Sequence, residues 1–249
     1  MPRTVLVTGA SSGIGAATVR ALCAAGDHVI ATARRADRLA ALAQETGCSY
    51  VVADLLADGV EVLKSYLDQH GPVDILINNA GGALGVDPIA EGKIDEWRRM
   101  YELNVIASLR VTQLLVPTMI ERGGTLLYIT STAGHDTYPG GGGYATAKHG
   151  ERMIPNTLRL ELVGTPVRII EIAPGMVHTE EFSLVRYHGD QAAADAVYAG
   201  VDRPLTAEDV AEAIRWAVSL PEHVNVDSMI LRPVAQASNT VVARQHDET

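Results

Sequence analysis

The chain has 249 residues, 47% of them apolar, enough to bury the core of one α/β domain spanning 1–249. Its formal net charge of −10 argues against a nucleic-acid or anionic-membrane partner, since both require a basic face. No unbroken apolar run reaches the roughly 18 residues of a membrane span, MPRTVLVTG lacks a signal-peptide layout, and Cys23 and Cys48 have no metal spacing, so the expectation is a cytoplasmic, metal-free protein with reduced thiols.

Short β-branched runs alternate with helical stretches along the chain. Residues 4–8 read as a strand and 14–25 as a helix that Gly26 can stop. A second strand at 28–33 precedes a helix at 36–45. A third at 49–53 precedes a helix at 60–69, which stops near Gly71 and Pro72. A fourth at 73–78 leads to a long helical region at 94–121, where Pro117 marks a kink or an end. Strand five is predicted at 125–130, a helix at 143–162 and strand six at 166–172. Residues 176–204 are weakly periodic and read as an insertion with short helices, placed to fold over a site as a substrate lid. A helix at 207–219, with Thr206 as N-cap and Asp209 near its start, precedes a last strand at 228–231, stopped by Pro233. The polar tail from Gln236 has little signal of its own. Such alternation, with near-continuous apolar strands, predicts an α/β fold: a doubly wound parallel sheet with helices on both faces.

Thr8-Gly9-Ala10-Ser11-Ser12-Gly13-Ile14-Gly15 lies between the first strand and the first helix. Glycines there permit a tight turn and let a pyrophosphate approach backbone N–H groups at a positive helix end. The spacing is G-x-x-x-G-x-G, not the usual G-x-G-x-x-G. An acid about 20 residues further on would receive a ribose 2′-hydroxyl and favour NAD. Strand two instead ends Ala31-Thr32-Ala33-Arg34-Arg35. Two guanidiniums stand where a 2′-phosphate would lie, at a helix start that disfavours cations unless an anion is present. The expected cofactor is therefore NADP.

Tyr144 and Lys148 stand four residues apart, on one helix face, and Ser131 ends strand five at the carboxyl edge where open α/β sheets bind ligands. With 8 Tyr and three Lys in the chain, a chance Tyr-x-x-x-Lys arises roughly 0.1 times. A phenol alone is a poor base at neutral pH, and an ammonium beside it favours phenolate. Tyr144 is thus the candidate general acid/base and Lys148 its electrostatic partner, while Ser131 can orient a substrate oxygen. Asp54, after strand three, can bind an adenine amino group or cap a turn. His135, His178 and His188 lack metal spacing and read as loop or rim residues.

Taken in order, Thr8 to Gly15, Asp54, Asn78-Asn79-Ala80-Gly81, Asn104, Ser131, Tyr144, Lys148 and Pro174-Gly175 with Thr179 give nearly the whole chain the pattern of a known family. The chain resembles the short-chain dehydrogenases/reductases. The resemblance implies a single seven-stranded Rossmann domain and a homo-oligomer, tetramer or dimer, built on the long helices after strands four and five. It implies cofactor contacts at Gly9, Ser11, Ser12, Gly13, Ile14, Gly15, Arg34, Arg35, Asp54, Leu55, Asn79, Ala80, Gly81, Tyr144, Lys148, Pro174, Gly175, Val177 and Thr179. Lys148 would also hold the nicotinamide ribose, and Asn104 would keep a water linking Lys148 to solvent.

The stretches 29–35, 78–85, 181–190, 205–210, 220–226 and 234–245 are similar to NADP-dependent 3-hydroxy acid dehydrogenases, which act on serine, allo-threonine and related small molecules. Pro155, the glycine run at 140–143 and Val177-His178-Thr179-Glu180 depart from that pattern, and Pro155 is expected to interrupt the helix carrying Tyr144. A 3-hydroxy acid has a carboxylate that needs a partner once water is excluded. Arg186, the one cation in the middle of 176–204, is a candidate anchor for it, alongside Ser131 and Tyr144; the alternative is a surface arginine paired with Glu180 or Glu181. Other readings are a reductase of larger carbonyl compounds, such as acyl-carrier thioesters or cyclic ketones, and a non-catalytic NADP-binding regulator.

Overall fold

The computed structural model describes residues 2–245. Strands β1 (Thr4–Thr8), β2 (His28–Ala33), β3 (Ser49–Val52), β4 (Ile75–Asn78), β5 (Gly124–Ile129), β6 (Val167–Pro174) and β7 (Met229–Leu231) form one parallel sheet in the order β3-β2-β1-β4-β5-β6-β7. Successive strand residues point to opposite faces, so each strand feeds two cores. Val5, Val7, Ile75, Ile77, Leu127 and Ile129 pack on one face, under α1 (Gly13–Ala24), α2 (Ala36–Thr46) and α9 (Ala207–Ser219). Leu6, Leu76, Leu126 and Tyr128 pack on the other, under α3 (Gly59–His70), α5 (Ala107–Arg122) and α6 (Gly142–Glu161).

The long predicted helix is α4 (Ile94–Tyr101) and α5 joined without a break through a π turn at Glu102–Ile106. Its span, Ile94–Arg122, is long and apolar enough in mean hydropathy to cross a membrane, which a search for unbroken apolar runs does not reveal. Here Ala107, Val111, Leu115 and Met119 are buried against the sheet. Pro155 does not interrupt α6, contrary to expectation: the helix runs from Gly142 to Glu161 with Pro155 buried inside it. The tertiary packing of α6 against α4 and the sheet holds the turn that proline weakens. Two short helices, α7 (Phe182–Arg186) and α8 (Gln191–Ala196), lie in the segment after β6.

Strand order reverses between β1 and β4, and the crevice this opens at the carboxyl ends is where α/β sheets bind ligands.

Candidate active site

A cavity of about 1050 Å³ lies at that edge. It gathers every expected site residue except Gly15 and Asn104, which stand one layer behind. The glycine turn forms its floor. Gly9 has φ +65°, and a Cβ there would lie 2.8 Å from the Ala80 Cα. Asn79 ties the turn down, its Nδ2 donating to the carbonyls of Thr8 at 2.9 Å and Gly9 at 3.2 Å. The Thr8 hydroxyl accepts from the N–H groups of Asn79 and Ala80. Gly15 packs directly on Gly9 and Asn79, and Thr179 closes over Gly13.

Ser12 precedes α1 but makes no side-chain cap, and its hydroxyl donates to Glu181 instead. Arg35 donates to both oxygens of Glu181, at 2.6 and 2.8 Å, and to the hydroxyls of Ser11 and Ser12, each at 2.9 Å. That hydrogen bond, more than the surrounding charge, holds the Glu181 carboxyl below the usual carboxylate range. A guanidinium and the Ser12 hydroxyl thus already grip one anion beside a helix N-terminus, with Ser11 bracing the guanidinium, and no acid ends β2. The site fits a 2′-phosphorylated dinucleotide, with Arg35 engaged and Arg34 exposed on the rim. Asp54 lines the cavity and also caps its own turn, accepting from the N–H of Leu56 at 3.0 Å.

Ser131, Tyr144 and Lys148 converge on the opposite wall. The Ser131 hydroxyl accepts from the N–H of Ala133 at 3.1 Å, fixing its direction at the end of β5. Tyr144 is 8% exposed, with the Lys148 Nζ 5.9 Å from its ring centre. Lys148 is buried and donates to the Ile129 carbonyl at 3.1 Å and to Glu151 at 2.6 Å. Burial pulls its ammonium down, but the Glu151 carboxylate more than restores it, leaving it above a lysine's ordinary value. The π turn brings Asn104 inward, where its Nδ2 donates to Gly82 and Met100 carbonyls and its Oδ1 accepts from the Gly82 N–H. A Cβ on Gly81 would lie 2.6 Å from the Asn104 Oδ1 and 3.3 Å from the Lys148 Nζ, so only glycine leaves room there.

Side chains that periodicity did not single out complete the cavity. Phe182 meets the Tyr144 ring edge-on at 5.7 Å. The Arg186 guanidinium sits 5.8 Å from the Tyr144 ring and 5.4 Å from that of Tyr138, and donates to the Gly85 carbonyl. Glu181 pairs with Arg35, and among the described residues no carboxylate lies within ion-pair distance of Arg186. The tail reaches the site as well: Gln236 accepts from the Met176 N–H, and Asn239 donates to the Thr132 carbonyl. Its contacts are irregular hydrogen bonds, which leave no periodic trace in sequence. His178 tilts against Tyr198 and His188 lies 3.5 Å from Glu96, whereas the loop residue His135 turns inward to Glu171.

A glycine cradle at the sheet's switch point, facing a serine, a tyrosine and a lysine, defines a dinucleotide-dependent oxidoreductase. A family model described as short chain dehydrogenase matches residues 3–187. The chain is 52% identical over 237 residues to an uncharacterized oxidoreductase of Mycobacterium tuberculosis, covering 95% of this chain and 93% of that protein. It is 42% identical over 241 residues to serine 3-dehydrogenase of Rhizobium radiobacter, covering 95% and 96%. The closed form of serine dehydrogenase complexed with NADP+ superposes with a TM-score of 0.91 at 37% identity, over 98% of this chain and 100% of that one. The chain belongs to the short-chain dehydrogenase family.

Proposed function

We propose that the whole chain is one NADP-dependent catalytic domain that interconverts a short 3-hydroxy acid and its 3-carbonyl counterpart. The observation that carries the substrate class is Arg186, a guanidinium with no acidic partner among the described residues, held over the ring of Tyr144. A carboxylate gripped there puts a hydroxyl two carbons away within reach of Ser131 and Tyr144. The resemblance to serine 3-dehydrogenase supports the same class.

The cofactor supplies or accepts the hydride. The chain does the rest: Tyr144 moves the proton at the substrate oxygen, Lys148 favours its phenolate, and Ser131 orients that oxygen and stabilises charge growing on it. Gly9, Gly13, Asn79, Ser11 and Arg35 would hold the pyrophosphate and 2′-phosphate, and Asn104 braces the backbone beside Lys148. The segment 176–204 acts as a lid, bringing Phe182 and Arg186 over Tyr144 and excluding water. The enzyme works in the cytoplasm as a homo-oligomer assembled through α4 and α6, whose adjacent outer faces expose Tyr101 and Met153.

NADPH absorbance reports turnover directly. NADP-linked oxidation of serine, allo-threonine or an unsubstituted 3-hydroxy acid is expected, and Tyr144→Phe should lose at least 10²-fold in kcat/KM while still binding NADPH. Phenylalanine-variant activity within threefold of the parent would overturn the acid/base assignment. Preference for a neutral ketone over every hydroxy acid would overturn the substrate class.

A further inference from the structure

Behind Tyr144 and Lys148 lies a buried carboxylate that the reaction above does not use. Glu151 is on α6, one turn past Lys148, and 1% exposed. Its Oε2 accepts from the Lys148 Nζ at 2.6 Å. A second buried acid, Glu171 on β6, accepts from the Thr130 hydroxyl at 2.7 Å, with the His135 Nε2 at 3.0 Å and the Arg152 Nε at 3.5 Å. Burial, with a smaller push from the Glu151 charge, keeps the phenol of Tyr128 on β5 above the ordinary tyrosine value. Glutamate is rarely fully buried without a role in pairing, and here its one strong partner is the candidate catalytic lysine.

We propose that Glu151 is a positioning residue that sets the net charge Lys148 presents to Tyr144. With Glu151 protonated the pair carries one positive charge; with Glu151 ionised it carries none. The inference rests on Tyr144 being the acid/base. Burial pushes the Glu151 carboxyl up, to about 7, against the pull of Lys148 and aided by Glu171. Its ionisation therefore falls inside the working pH range. The sign follows from Coulomb's law, little screened at this depth. As pH rises, ionised Glu151 withdraws support from the phenolate that alcohol oxidation needs, and pushes oxidation to more alkaline pH than Lys148 alone would set.

The test is the pH profile of kcat/KM for NADP-linked oxidation of a 3-hydroxy acid without an amino group, whose carboxylate stays ionised throughout. Glu151→Gln keeps the shape and removes the charge, so the acid limb should move down by about one pH unit, a tenfold gain at a fixed pH on the limb. Glu151→Asp should keep the parent limb. If the glutamine variant does not fold, Glu151→Met reads the same shift without a charge. A melting temperature that falls while the limb stays put would make Glu151 a structural pair only. An upward shift would mean that it chiefly keeps Lys148 protonated. Either result overturns the proposal. Tyr144→Phe separates the two readings: if that variant turns over, the acid/base assignment fails; if it is dead and the limb is unmoved in Glu151→Gln, only the charge-setting role fails.

Discussion

Arg186 reaches the site because its own turn delivers it there. The backbone of Arg186 accepts from the Gly85 N–H at 2.9 Å while its Nε donates to the Gly85 carbonyl, so loop and side chain are fixed by one glycine residue. Two aromatic rings flank the guanidinium, which lowers the cost of withdrawing it from water and leaves donors for a carboxylate. Replacing Arg186 by Met should therefore reduce kcat/KM selectively, by at least tenfold for a 3-hydroxy acid and far less for a neutral alcohol of similar size. Equal losses on both would mean that the segment, not the charge, was damaged. At this scale the sequence was most informative where chemistry has few synonyms. Tyr144, Lys148 and Ser131 could be read from spacing and from their places at a strand end and on one helix face. Glu151 could not, because a glutamate on an amphipathic helix has the same local signature whether it faces water or a buried lysine.

Among the elements, the start of α7 and the start of α2 are joined by the Arg35–Glu181 pair, with Arg38 3.6 Å from the same carboxylate. This pair ties the segment over Tyr144 to the place where a 2′-phosphate would bind, and both anions want the same guanidinium. Glu181→Gln removes the competing charge and should tighten NADPH binding about two- to fivefold, the scale of a partly exposed ion pair, with NADH binding unchanged. Fluorescence titration with both nucleotides checks it; weaker NADPH binding would show instead that Glu181 orients Arg35. The competition is present at neutral pH. Glu181 is held below its unfolded value, so the pair contributes fully above that value and is lost only as pH falls through the lowered one. Nothing local announced this contact, since its partners stand 146 residues apart. The same holds for the bend at Asn104. A π turn adds one residue to a helix without changing its composition, so 94–121 reads as plain helix although Glu102–Ile106 is not.

At the scale of the molecule, alternation of strand and helix sufficed to foresee a parallel sheet, because each buried strand must be near-continuously apolar and each connection must cross over it. The last strand could be read at 228–231 although β7 is only three residues long, because Pro233 stops it, whereas the order of the strands in the sheet leaves no mark on local pattern. What neither pattern nor monomer packing explains is the apolar surface left on the outer faces of α4 and α6. Tyr101 is 45% and Met153 47% exposed, and Leu160 near the end of α6 is 78% exposed. The two helices pack side by side, with Tyr101 against the surface of α6 at Gly150. A two-fold axis there would place each pair of helices against its copy and bury this surface on both chains at once. The chain carries a formal net charge of −10, so an added acid at a contact between two copies would meet both lost burial and repulsion. Tyr101→Glu combined with Met153→Glu should halve the mass measured by light scattering, from tetramer to dimer or from dimer to monomer, with the fold retained by circular dichroism. A parent that already runs as a 26.5 kDa monomer, or a double variant of unchanged mass, would remove this face as the assembly surface.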